Sequence, residues 1–302
     1  MSTLNTLIAR AIPFIPRVIV QKMSRRYIAG SSITHATDRL KHLNALGFLT
    51  TVDVLGETAT SLKQARQMAD EYIHLLESIH RDRLQGNVSI KPTSLGLLLN
   101  LAECERLMLE VIEAAQTYES FVRIDMEDSS CTQLEIDMFK RLRQRYGNVG
   151  LVLQSYLKRT DSDLASLLAI NSNLRLCKGI YIEASHLLVD NASIDRRAIN
   201  APFLRHVEQC FAKRSFVGIA THDADLIQGV IALADRMDIP NTQFEFQMLL
   251  GVCEPLRNQL KVQGYSIRIY VPYGTDWYGY STRRIKENPQ IAGYLIREML
   301  KS

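Results

Sequence analysis

FLTTVDVLGETATSLKQARQMADEYIHLLESIH, residues 48–80, is the stretch from which the fold follows. Its first eight residues form an apolar, β-rich run, the composition of a strand. From Ser61 onward, Leu62, Ala65, Met68, Ala69, Tyr72 and Leu75 fall on one helical stripe. The pattern then repeats. FLTTVDVL (48–55), NVSIK (87–91), FVRID (121–125), VGLVLQ (149–154), LRLCKG (174–179), FVGIA (216–220), QFEFQ (243–247) and SIRIYV (266–271) are eight strand candidates. Most are followed by helical spacing, as in residues 94–115 and 223–237.

Eight strand–helix alternations spaced about 25–40 residues apart predict an α/β fold, a closed (β/α)8 TIM-like barrel. The main rival is a doubly wound open sheet. A dinucleotide-binding sheet of that kind carries a glycine-rich phosphate turn after an early strand, and no GxGxxG occurs. No composition break marks a second domain. Residues 1–45 are expected to be an N-terminal helical extension and residues 46–302 the barrel.

The net charge of +4 is spread among acids, with no long basic run, which argues against nucleic acid as a partner. The N-terminus is different. No acid precedes Asp38, and Arg10, Arg17, Lys22, Arg25 and Arg26 alternate with Ile12, Phe14, Ile15 and Val18–Val20. This is expected to be a packed helical extension, with binding to a membrane surface as a second role. No apolar run nears the roughly 20 residues that span a bilayer. The five cysteines (104, 131, 177, 210 and 253) are widely spaced without a CxxC. They are expected to be buried thiols in a reducing compartment, with no metal site.

Barrel chemistry belongs at the C-terminal strand ends. There the sequence places Glu57, Lys91, Asp125, Gln154, Arg175, Lys178, Thr221, His222, Glu245, Gln247 and Tyr270. A single charge at a strand end usually marks only where the chain meets water. Repetition at all eight strands argues for a site. Glu245 and Gln247 face the same side of their strand and need partners inside a barrel. The cations Lys91, Arg175, Lys178, Arg283 and Arg284 suit an anion, and Gly179 permits close backbone approach. Gln154, Glu245 and Gln247 suit a heterocycle edge. After the last strand, Trp277, Tyr278 and Tyr280 precede Arg283 and Arg284, with Glu287 one turn on. Two guanidinium forks beside aromatic walls suit a small, partly apolar carboxylic acid.

The chain resembles the proline dehydrogenase family in the ordered segments TVDVLGE, VSIKPTSLG, RIDMEDS, LVLQSYLKRT, LRLCKGIY, ATHD, FEFQMLLGV and YVPYGTDWYGYSTRRIKENP, across residues 48–290. Its N-terminal part is similar to that of short, monofunctional bacterial members. The resemblance implies FAD-dependent oxidation of L-proline to Δ1-pyrroline-5-carboxylate, with hydride passing from proline C5 to flavin N5 and electrons going on to a membrane quinone. It implies catalytic roles for Asp125 and Arg175, and a substrate pocket of Lys91, Leu249, Tyr270, Tyr280, Arg283, Arg284 and Glu287, with Glu57 as a gate. FAD contacts fall on Met126, Gln154, Arg175, Lys178, Gly179, Ile180, Thr221, His222, Glu245 and Gln247. It also implies a cytoplasmic enzyme at the inner membrane, mitochondrial if eukaryotic, with pyrroline-5-carboxylate dehydrogenase as downstream partner.

Two positions depart from the family pattern. Gly279 stands where proline is frequent, and is expected to loosen a loop there. Leu250 stands where tyrosine is common. Three other functions compete: a hydroxyproline-preferring relative, a Schiff-base lyase using Lys91 or Lys178, and a non-enzymatic barrel that binds a membrane or partner through residues 1–30. Tyr270 argues against the first, since a phenol there crowds a ring hydroxyl.

Overall fold

The computed structural model describes residue 20, residues 24–56 and residues 58–287, without the side chains of residues 283–287. Helix α1 (Ile33–Ala45) precedes strand β1 (Leu49–Val54). Then come α2 (Leu62–Arg81), β2 (Gly86–Ile90), α3 (Leu101–Thr117), β3 (Val122–Ile124), α4 (Thr132–Arg143) and β4 (Val149–Gln154). The second half adds α5 (Thr160–Leu168), β5 (Asn173–Cys177), α6 (Asn200–Ala212), β6 (Val217–Ala220), α7 (Ala224–Arg236) and β7 (Phe244–Leu249). It ends with α8 (Glu254–Val262), β8 (Ile267–Tyr273) and α9 (Trp277–Glu287). All eight strands are parallel, and β1 pairs with both β2 and β8, closing the barrel. Each run expected to be a strand became one, with ends shifted by a few residues at most.

The strands alternate as a barrel wall must. Val52, Val88, Ile90, Val122, Ile124, Leu151, Leu174, Ile219, Phe246 and Ile269 are fully buried beneath the helices. The alternate positions face the lumen, and many of them are polar rather than branched apolar. In its lower part Arg268 of β8 bonds Glu245 of β7 at 2.6 Å (Nε) and 3.1 Å (Nη2), while its Nη1 donates to the Thr50 carbonyl at 2.8 Å. Arg123 of β3 donates to the Leu151 and Asn173 carbonyls and to Asn173 Oδ1. These buried charges are tolerable because each guanidinium and carboxylate has several partners.

Local chemistry explains the helix boundaries. Ser61 caps α2, its hydroxyl accepting from Gln64 N, and Asp223 caps α7 by accepting from Asp225 N and Leu226 N. The helix expected over 94–115 is broken. A 3-10 turn, Pro92–Leu95, ends at Gly96 with φ of 88°, and α3 starts anew at Leu101 behind the Asn100 cap. Gly279 lies inside α9, not in a loop, and a Cβ added there would meet nothing within 4 Å. The cysteines also correct an expectation: Cys104, Cys131 and Cys210 are buried, but Cys177 is half-buried and Cys253 exposed. No helix among the described residues is long and apolar enough to cross a membrane.

Candidate active site

Five strands converge on one polar network at the mouth. Asp125, one residue past β3, accepts from Arg175 Nη1 of β5 at 2.9 Å through Oδ1 and from the Tyr270 hydroxyl of β8 at 3.0 Å through Oδ2. Arg175 Nη1 also reaches Ser89 Oγ of β2 at 3.1 Å. Strands β2 and β5 are not neighbours, so this arm crosses the lumen. The Arg175 guanidinium lies 5.5 Å from the Tyr270 ring centroid, in cation–π range. Lys91, just past β2, donates to Asp53 Oδ1 of β1 at 2.7 Å and to the Tyr270 hydroxyl at 3.3 Å, and sits 3.9 Å from Asp125.

The electrostatics follow from burial and pairing. Burial pushes the Asp53 carboxyl up, partly offset by the Lys91 charge. Burial would push Lys91 down, but the Asp53 and Asp125 carboxylates outweigh it and its pKa rises. Burial, then the charges of Asp125 and Asp53, carry the Tyr270 phenol well above its usual range. Tyr270 therefore stays protonated and bridges Lys91 to Asp125.

A second group lies over β5–β7. Lys178 Nζ bonds Asp223 Oδ2 at 2.6 Å, and Asn200 Nδ2 reaches the same oxygen at 3.3 Å. Burial raises the Asp223 pKa, but the Lys178 bond and the backbone donors of α7 bring it below the usual carboxylate range. Gly179 has φ of 103°, its carbonyl accepts from Arg196 Nη2 at 2.6 Å, and a Cβ there would fall 2.3 Å from the Tyr156 ring. Only glycine fits that position. Thr221 Oγ1 accepts from Asp223 N, and His222 Nε2 accepts from Leu249 N at 3.0 Å, tying the tops of β6 and β7 together. The Gln154 amide donates to the Glu127 carbonyl at 2.7 Å. Met126 and Tyr280 are buried, and Ile180 is exposed.

The expected residues divide accordingly. Asp125, Arg175, Lys91 and Tyr270 form one network. Lys178, Gly179, Thr221 and His222 lie in the second group, Leu249 is tied to it through His222, and Gln154, at the end of β4, bonds the Glu127 carbonyl. Gln247 donates to Glu245 at 2.6 Å, and Glu245 is held by Arg268 deeper in the lumen. Arg283, Arg284 and Glu287 lie on the α9 backbone, their side chains outside the described residues, as is all of Glu57. The sequence alone did not single out Asp53, Ser89 or Arg268, and it placed Asp223 at a strand end without a role. Strand alternation was the available signal for Asp53, which shares a strand face with Thr51.

The residues fit a large polar cofactor with acceptor atoms. Among the described residues, neither Arg175 Nε nor Asn200 Oδ1, beside Lys178 and Asp223, has a hydrogen-bond partner, though both are buried. A donor in one group and an acceptor in the other are what a ligand spanning both would satisfy. Among the described residues, no group of three or more His, Cys, Asp or Glu could hold a metal. A cavity of about 660 Å³ flanks this region instead of capping it, between Gly56, Thr58, Gln64, Met68, Glu71 and Asp276. It adjoins both neighbours of Glu57.

Fold and mouth together define a (β/α)8-barrel enzyme with an acid–base network centred on one lumen-crossing arginine. The family model described as proline dehydrogenase matches residues 36–297. Proline dehydrogenase 1 of Bacillus subtilis is 35% identical over 278 residues, covering 92% of this chain and 91% of its own. Proline dehydrogenase of Deinococcus radiodurans is 35% identical over 302 residues, covering 96% and 94%. The chain belongs to the proline dehydrogenase family. Among solved structures, proline utilization A from Bdellovibrio bacteriovorus, inactivated by N-propargylglycine, superposes with a TM-score of 0.81 at 24% identity. That match spans 89% of this chain and 33% of that one, and shows the shared fold.

Proposed function

We propose that the protein oxidises L-proline to Δ1-pyrroline-5-carboxylate with FAD, and that the electrons continue to a quinone at a membrane surface. The observation that carries this reading is the Asp125–Arg175–Tyr270–Lys91 network at the mouth of a family-matched barrel.

Bound FAD supplies the acceptor for the hydride that leaves proline C5. Lys178, Gly179, Ile180, Thr221, His222, Gln154 and Met126 would hold it, with Glu245 and Gln247 beneath. Arg175, fixed by Asp125 and Ser89, would offer its Nε, which has no partner among the described residues, as a donor to the reduced cofactor's negative charge. Arg283 and Arg284 would clamp the proline carboxylate, with Glu287 steadying the pair and Glu57 gating entry. Leu249, Tyr270 and Tyr280 would bound the ring, and the cationic surroundings favour loss of the amine proton. The product is the cyclic imine, formed as C5 gives up a hydride and nitrogen a proton.

The same reading makes residues 46–302 the catalytic unit and 1–45 a packed helical extension, with binding to a membrane surface through residues 1–30 as its second role. It places the protein in the cytoplasm at the inner membrane, upstream of pyrroline-5-carboxylate dehydrogenase. The test is production of Δ1-pyrroline-5-carboxylate from L-proline with a soluble quinone, followed by mass spectrometry. Formation of product, lost in Arg284→Ala, supports the proposal. Borohydride trapping of a carbonyl substrate on Lys91 or Lys178, without proline oxidation, supports the Schiff-base alternative.

A further inference from the structure

Lys91 raises a chemical problem. It is a primary amine at the mouth, its side chain 24% exposed. The imine proposed as product is in equilibrium, by addition of water and ring opening, with an amino aldehyde. A neutral lysine amine condenses with an aldehyde to give an imine and water. An ammonium ion has no lone pair and cannot.

The surroundings of Lys91 bear on this directly. Asp53 is 1% exposed and faces the lumen from β1, with Oδ1 2.7 Å from Lys91 Nζ. Tyr270 on β8 presents its hydroxyl to the same nitrogen. Asp125 lies at 3.9 Å after β3, with Glu127 beyond it, and Arg175 on β5 is already paired with Asp125. Among the described residues Asp53 is thus the carboxylate nearest to Lys91, and unlike Asp125 it is not held by Arg175. Its strand is fixed from outside: the Tyr72 hydroxyl of α2 donates to the Ser89 carbonyl at 2.9 Å and accepts from Val54 N at 3.3 Å.

We propose that Asp53 is a positioning residue that holds Lys91 as a charged hydrogen-bond donor toward Tyr270 and withholds it as a nucleophile from carbonyl compounds at the mouth. The aldehyde argument rests on the proline reading. The Asp53–Lys91 relationship does not.

The test uses a small aliphatic aldehyde with cyanoborohydride, so that no proline chemistry is involved. Alkylation of Lys91 is followed by peptide mass spectrometry across pH, in wild type and Asp53→Asn, with exposed Lys63 as internal reference. Wild-type Lys91 should be modified with a midpoint above that of Lys63. In Asp53→Asn the midpoint should fall by about one pH unit or more, giving about tenfold more modification at a fixed pH below it. An unchanged Lys91 midpoint in the variant overturns the proposal, even if proline is oxidised normally. If Asp53→Asn does not fold, the wild-type profile decides, because a Lys91 midpoint at or below that of Lys63 also overturns it. Failure of the proline reading would leave these midpoints as expected.

Discussion

Arg175 and Ser89 meet across the lumen, Nη1 to Oγ at 3.1 Å, though their strands lie on opposite parts of the barrel wall. The contact depends on Asp125, which takes the same Nη1 at 2.9 Å and fixes the arm. The Arg175 side chain is 5% exposed and that of Asp125 13%. Asp125→Asn would leave a buried guanidinium without its counter-charge. Stability should fall by about 3 kcal/mol, measured by urea denaturation. Proline turnover should fall more than about tenfold.

Tyr270 links Lys91 to Asp125 through one hydroxyl. On the proposed function its ring would fill the space that a ring hydroxyl of the substrate needs. Wild type should turn over proline faster than trans-4-hydroxyproline. Tyr270→Ala should lower kcat/KM for proline and shift the ratio toward hydroxyproline by about tenfold, the scale of one steric contact. Steady-state kinetics on both substrates checks this, and an unchanged ratio would remove Tyr270 from the pocket.

Gly179→Ala places a Cβ 2.3 Å from the Tyr156 ring on a backbone with φ of 103°. We expect a loss of about 2 kcal/mol or more, together with less flavin retained on purification. Gly279→Ala is the contrasting case. That residue is helical with open space around it, so the change should stabilise by about 0.5–1 kcal/mol. Thermal unfolding of the two variants separates a glycine required by geometry from one that is not.

His206 is buried, with Nδ1 3.0 Å from Ser155 Oγ and Nε2 3.2 Å from Asp161. Burial lowers its pKa despite the pull of Asp161. The unfolded chain takes up the proton near about pH 6.5 and the folded one only at lower pH. Between those values the unfolded state binds more protons, so stability falls as pH falls, by at most about 1.4 kcal/mol per unit. Urea midpoints at about pH 7.5 and about pH 5.5 should differ less in His206→Gln than in wild type.

The barrel was legible because alternation and helical spacing are local properties. VGLVLQ and FVGIA declare themselves as strands without reference to their partners. The break at Gly96 was hidden by the continuous apolar pattern of residues 94–115, which masks a single residue with positive φ. The site was legible in part, since strand ends are the right places to look. What pairs with what was not. Glu245 clearly needed a partner, but Arg268 is 23 residues away and meets it only when β7 and β8 align. Asp53 looked like part of an ordinary strand until β1–β2 pairing brought Lys91 over it and barrel closure brought β8 beside it.

On the proposed function, this barrel holds a flavin and moves a hydride to it from proline. The most direct measurement is the visible absorption spectrum of the purified protein, without oxygen, before and after adding L-proline. A flavin spectrum that bleaches on addition of L-proline is expected. A protein that stays colourless and inactive after FAD is supplied, or a bound flavin that proline leaves unchanged, would contradict it.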